Sequence, residues 1–244
     1  MKKLHDDVLA VGDIILTTTN KLDSKAIRRI IKSDISHAMI YVDRFSVIDA
    51  TGEGVQARNT QRIFFSEDCA IHVLRPKVAL SRREAEVVCD FARLRIGTEY
   101  SKREAAATII GGLNSWSAKQ FCSRLVAQAY ASIGRQLVRD PNFCSPADIK
   151  NSHLLEEIAD ATEPVTDHEI EEMTRHQDMA QVMRDTINAV LSGIRTRNDE
   201  FQNMNDVDAH LINHPEDDAS FCEILRASGY LTLWELEMRK NPWQ

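Results

Sequence analysis

The sequence predicts an α+β fold: a small antiparallel sheet packed against helices, followed by a mainly helical C-terminal extension. Three observations lead there. Short β-branched runs bounded by turn residues lie between residues 13 and 75, which is the pattern of half-buried strands. From residue 82 onward, apolar residues recur at helical spacing instead. Near Ala161-Thr162-Glu163-Pro164 the composition changes, and residues 165–244 then carry 7 Lys+Arg against 16 Asp+Glu. The chain's net charge of -7 is therefore a property of its tail, and the shift marks an expected boundary between a domain over 1–160 and an acidic helical region over 165–244.

The elements follow in order. Strands are expected at 13–18, 38–43, 46–50 and 70–75, with Asp43-Arg44 as the hairpin connection between the middle two. Helices are expected at 24–32, 82–95, 102–112 and 119–133, the last stopped by Gly134. In the tail, Ile170, Met173, Met179, Val182, Met183, Ile187, Val190, Leu191 and Ile194 form one apolar stripe from about Glu169 to Arg195. A second helical stretch runs through Val207, Leu211 and Ile212 to Pro215, and a third segment from Ser220 to Leu236 is rich in large apolar residues. Such stripes exist to be buried, so the tail helices are expected to cover the first domain or each other, the alternatives being a docking arm for a protein partner or a substrate-selecting cap.

Composition excludes several classes. The basic groups Arg28, Arg29, Lys32, Arg82 and Arg83 lack interleaved aromatics in a chain of negative charge, so no nucleic-acid partner is expected. No apolar run is long enough for a transmembrane segment, and Leu4-His5-Asp6-Asp7 stands where a signal peptide needs an apolar stretch. A cytoplasmic location is expected, with leaderless secretion as an effector the alternative. The five cysteines, Cys69, Cys89, Cys122, Cys144 and Cys222, are odd in number and widely spaced, against a disulfide framework or a zinc knuckle. His210 and His214, four apart with Asp206, Asp208 and Asp217 nearby, are better explained as a solvated helix end than as a metal site. Gly111-Gly112 follows an Ala-rich helix rather than a strand, so no phosphate loop, and no cofactor, is expected.

One cysteine stands apart. Cys122 lies at the expected start of a helix, in Phe121-Cys122-Ser123-Arg124-Leu125-Val126, with Ser115 and Ser117 before it as candidate caps. Unpaired N–H groups and the positive end of the helix dipole favour an anionic sulfur there and can hold a developing oxyanion. A nucleophilic thiol needs a base, and His37 at the entrance of the strand after Ser36 is the candidate. Asp49, on the next strand, is placed to be its cross-strand neighbour and to fix the tautomer of the ring.

Six segments together resemble the permuted papain-like cysteine hydrolases of the NlpC type, the YiiX/YebB-like group related to the lecithin:retinol acyltransferase-like enzymes. They are Val11-Gly12-Asp13-Ile14-Ile15-Leu16, Ser36-His37-Ala38-Met39-Ile40, Val47-Ile48-Asp49-Ala50, Gly97-Thr98-Glu99-Tyr100, Phe121-Cys122-Ser123-Arg124-Leu125-Val126 and Cys144-Ser145-Pro146-Ala147-Asp148-Ile149, in the family's order. The resemblance covers about residues 9 to 158. It implies a circularly permuted papain-like domain with Cys122 as nucleophile, His37 as general base and Asp49 as its orienting group, Glu53 being the nearest substitute for Asp49. Ser101 stands where relatives often carry Asp. The implied substrate is a peptide, amide or lipid-acyl compound, cleaved through an acyl-enzyme. Acyl transfer by the same fold, or a non-catalytic binding module whose helical tail recruits a partner, is the alternative.

Overall fold

Alternating apolar residues at the expected strands assemble one six-stranded sheet in the computed structural model, which describes residues 1–18, 35–101, 119–198 and 200–240. Its strands are β2 (Ile14–Thr17), β3 (His37–Asp43), β4 (Ser46–Thr51), β5 (Gly54–Asn59), β6 (Ile71–Pro76) and β7 (Leu155–Glu157), in the order β5-β4-β3-β2-β6-β7 with every pair antiparallel. A separate two-stranded sheet pairs β1 (Lys2–Leu4) with β8 (Thr162–Pro164). The four expected strands are β2, β3, β4 and β6. The expected helices at 24–32 and 102–112 lie outside the described residues.

The strand period sorts side chains onto two faces. Ala38, Ile40, Ile48, Ala50 and Val55 join the main core, packed under α1 (Arg82–Arg93) and α2 (Cys122–Ala131) through Val88, Cys89, Ala92, Leu125, Val126 and Ala129. Met39, Tyr41, Val47, Ile15 and Val73 form a second cluster with Leu4. Burying each such side chain contributes about 1.5–3 kcal/mol. The start of α1 is set by a capping box between Ser81 and Glu84.

The β3–β4 connection differs from expectation. Asp43 pairs with Ser46, so the loop is Arg44-Phe45 rather than Asp43-Arg44, and Phe45 takes φ 63. That left-handed conformation is strained for a bulky residue, and two contacts hold it. The Phe45 N–H donates to the Tyr41 hydroxyl at 3.2 Å and the Arg44 N–H to Asp43 Oδ1 at 2.7 Å. Short-range turn signals could not reveal the Tyr41 anchor.

The tail folds as α4 (Asp167–Arg175), α5 (Met179–Arg195), α6 (Met204–Asn213), α7 (Asp218–Ala227) and α8 (Tyr230–Lys240), after a short α3 (Pro146–Lys150) in the preceding region. The single stripe expected from Glu169 to Arg195 is two helices. His176 ends α4 in an extended conformation and Asp178 caps α5 by accepting from the Gln181 N–H. Helix α5 packs against the edge strand β5: Gln56 Nε2 donates to Asn188 Oδ1 at 3.0 Å and Arg184 Nη1 to the Ala57 carbonyl at 3.0 Å. Unpaired edge groups template aggregation, and this helix covers them. Val190, Ile194, Phe201, Val207 and Phe221 form a third cluster beneath the tail helices.

Two glycines bring the loop at residues 97–100 against β5. Gly54 (φ +97) and Gly97 (φ +90) are both in the left-handed region. A Cβ on Gly54 would lie 2.7 Å from the Thr98 carbonyl oxygen, and one on Gly97 2.2 Å from Leu191 Cδ1 of α5. The backbone closes there through Val55 N–H to Thr98 O at 2.9 Å and Gly97 N–H to Val55 O at 2.8 Å.

Candidate active site

Helix α2 begins at the thiol. Phe121 is its N-cap in an extended conformation, and no side chain caps it. Ser115 and Ser117, expected in that role, lie outside the described residues. The consequence is chemical: the N-cap side chain offers no acceptor, and the positive end of the helix dipole lies at Cys122.

Two segments hold this helix start. Arg124, fully buried, donates from Nε to the Asn142 carbonyl at 2.9 Å and stacks over the Phe121 ring at 4.4 Å. Ser123 Oγ donates to the Cys144 carbonyl at 2.6 Å. The Ser145-Pro146-Ala147-Asp148 motif is a capping box with Pro at the start of α3, which fixes that loop beneath α2. On the other side, Ser101 N–H donates to Gln120 O and Gln120 N–H to Glu99 O, both at 2.8 Å, so Tyr100 is stitched beside the residues leading into Cys122. Burial first, and then the Cys122 sulfur, push the Tyr100 phenol above its ordinary value, so it stays a neutral donor.

His37 is the first residue of β3. Asp49 pairs directly with Met39 in the register, not with His37, so the cross-strand relation expected between them is a diagonal one. The reach is sufficient: His37 Nε2 lies 2.8 Å from Asp49 Oδ2, with both side chains largely buried. Beside Asp49, Cys122 is the other neighbour whose interaction raises the ring's pKa. With Nε2 engaged by the carboxylate, Nδ1 is the nitrogen left to face the sulfur. Burial disfavours the charged ring, but the bonds and charges of Asp49 and Cys122 outweigh it and raise His37 to about 10. Burial likewise acts against the Asp49 carboxylate, and the His37 and Arg58 interactions still hold it below the ordinary value.

All three predicted site residues thus meet. Glu53 does not reach the imidazole in this arrangement and stands 3.6 Å from Arg58 Nη2. The other thiols have no such setting: burial pushes Cys89 up to about 11 and Cys144 higher still. Cys144 Sγ donates to the Ser123 carbonyl at 3.4 Å, which makes it part of the support of α2. His210 and His214 stack on each other at 4.6 Å, with His210 bound to Asp217 and His214 to Glu216. Sequence reasoning missed Arg58, because it placed no strand between residues 50 and 70. The alternation Val55-Gln56-Ala57-Arg58 was the signal for the additional strand.

A base-bearing strand that precedes the helix of a thiol, on an antiparallel sheet, is the order of the permuted papain-like architecture. The chain belongs to the C92 family of permuted papain-like amidases (YaeF/YiiX), whose model matches residues 8–189. Among solved structures it is similar to one described as the metalloprotein yiiX from Escherichia coli O157:H7 (DUF1105), with a TM-score of 0.50 and 21% identity over 61% of this chain and 96% of that one. That likeness concerns the fold. No curated protein matches the chain. Among the described residues, no helix is long and apolar enough to cross a membrane.

Proposed function

We propose that this chain is an amide-cleaving cysteine hydrolase working through a Cys122-His37-Asp49 triad and a covalent acyl-enzyme. The observation that carries the reading is the His37 ring, bonded to Asp49 at 2.8 Å through Nε2 and close enough to Cys122 for the two to interact, with Cys122 at the start of a helix with no side-chain cap. The family's amidase character supports the class of bond.

In the proposed steps, the Cys122 proton is held on His37 as imidazolium, in keeping with the raised His37 pKa, and the sulfur attacks the amide carbon. The C–S bond forms as the C=O electron pair moves to oxygen, where N–H groups of the first turn of α2 bind the charge. Collapse breaks the C–N bond, and the imidazolium gives its proton to the leaving amine. Water, deprotonated by His37, then cleaves the thioester to a carboxylic acid and restores the thiol. Asp49 keeps the ring in one orientation and stabilises the imidazolium throughout. Residues 1–160 would supply this chemistry, and the region over 165–244 would cover β5 and steady the Gly97 turn through α5.

The word metalloprotein belongs to the description of yiiX. Here both Asp49 oxygens are engaged, Oδ2 by His37 and Oδ1 by the Arg58 guanidinium, a cation where a metal would compete. Among the described residues no three His, Cys, Asp or Glu side chains are grouped to hold a metal. The residues present do not fit one, and no step is routed through it.

The test is site-resolved alkylation of the folded protein with limiting iodoacetamide, read by mass spectrometry across pH. Cys122 is expected to react fastest of the five cysteines, and its profile to break near pH 10, where the imidazolium loses its proton. His37→Ala is expected to abolish that break and to slow Cys122 at neutral pH to the rate of an ordinary thiol. Faster reaction of another cysteine, or an unchanged Cys122 in the variant, would sink the proposal.

A further inference from the structure

We propose that Arg58 is a fourth member of this site, a positioning residue that clamps Asp49 so that the carboxylate presents one oxygen to His37. The inference rests on the triad reading above. Its ground is the β4–β5 hairpin, where Asp49 pairs with Gln56 and Arg58 is the diagonal neighbour on the same face. From there Arg58 Nε donates to Asp49 Oδ1 at 2.9 Å, while Nη2 donates to Thr51 Oγ1 at 3.2 Å. One planar guanidinium is thereby fixed at two points of β4, and it fixes the carboxylate in turn.

The burial of Asp49 makes the clamp consequential. At 3% exposure the carboxylate has little water to satisfy Oδ1, so without Arg58 that oxygen would be left unpaired or would turn toward His37. The ring would then lose the single geometry in which Nδ1 faces Cys122. Among the described residues, the charged and titratable groups around Asp49 are His37 on β3, Arg58 on β5, Glu53 in the β4–β5 turn at 3.6 Å from Arg58, and Cys122 of α2 beyond the ring. Arg184 of α5 bonds the neighbouring Ala57 carbonyl. Of these, Arg58 is the cation that bonds Asp49 directly besides His37.

The experiment is a double-mutant cycle on the full chain, reading the rate and pH profile of Cys122 alkylation. Arg58→Gln is expected to slow Cys122 by up to about a hundredfold through misplacement of the orienting group, and to move the acid limb of its profile toward neutral pH. Arg58→Lys, which keeps the charge but loses the planar fork, is expected to hold the acid limb while recovering only part of the rate. In the Asp49→Asn background, Arg58→Gln is expected to add no further loss, because Arg58 acts through Asp49. A further loss there, or a single variant with wild-type rate and profile, overturns the role of Arg58. His37→Ala separates the two levels: if it too leaves Cys122 unchanged, the triad reading fails, whereas a slowed His37→Ala beside an unchanged Arg58→Gln removes Arg58 alone.

Discussion

Cys122→Ala is expected to lower amide hydrolysis by about six orders of magnitude, the loss that follows when the nucleophile of a coupled triad is removed. Rates would be measured on the best substrate from a panel of acyl amides and peptides. The physical basis is that, among the described residues, Cys122 is the thiol beside the imidazole of His37 at a helix start. Of the remaining buried thiols, Cys69 donates to the Thr18 carbonyl, and Cys89 and Cys144 are held protonated by burial. The helix start would still bind the developing oxyanion, so a residual rate above that of water is expected to survive. The substitution removes one sulfur from a tightly packed position, and thermal unfolding should show only a modest shift. A variant that retains substantial turnover with its fold intact would move the nucleophile elsewhere.

The second large effect is that of Asp49→Asn, for which the expected loss is about 10⁴-fold in the acylation rate. Here the surrounding geometry makes the argument specific. Arg58 can donate only to an oxygen, so it selects the amide orientation in which Asn Oδ1 faces Arg58 and Nδ2 faces His37. The ring nitrogen that now donates to the carboxylate would have to accept instead, and its proton would shift to Nδ1. The imidazole would then present a donor to Cys122 and could not take the thiol proton. Single-turnover acylation should show the loss directly, and NMR of the imidazole nitrogens should show the exchanged tautomer. Normal acylation with the wild-type tautomer would free Asp49 from the orienting role.

The two substitutions also bear on how the chain encodes its site. Cys122 was legible because a helix of clear apolar period starts at that residue, and His37 because a β-branched run starts there; both signals are local. The strands at 14–17, 37–43, 46–51 and 71–76 followed from the same short-range alternation. Strand β5 was not read, since Gly52 and Gly54 look like the end of a sheet, and with it went Arg58. Its place depends on the register β4 adopts beside it, which no window of neighbouring residues specifies. The division of the tail stripe at His176 was hidden for a related reason. Apolar residues continue at helical spacing across the break, while the Asp178 cap that separates α4 from α5 is a single side-chain bond.

By itself the sequence determined four strands of the sheet, the main helices, and the order of the proposed base before the proposed nucleophile, because helix starts and strand periods are set within a few residues. Tertiary structure alone decided the diagonal contact of His37 with Asp49, the hold of Arg58 on the far oxygen, and the packing of α5 on the edge of the sheet. Those are relations between segments separated by up to 132 positions, as in the bond from Gln56 to Asn188. Their geometry follows from strand register and the meeting of apolar faces, and neither exists until the chain has closed on itself.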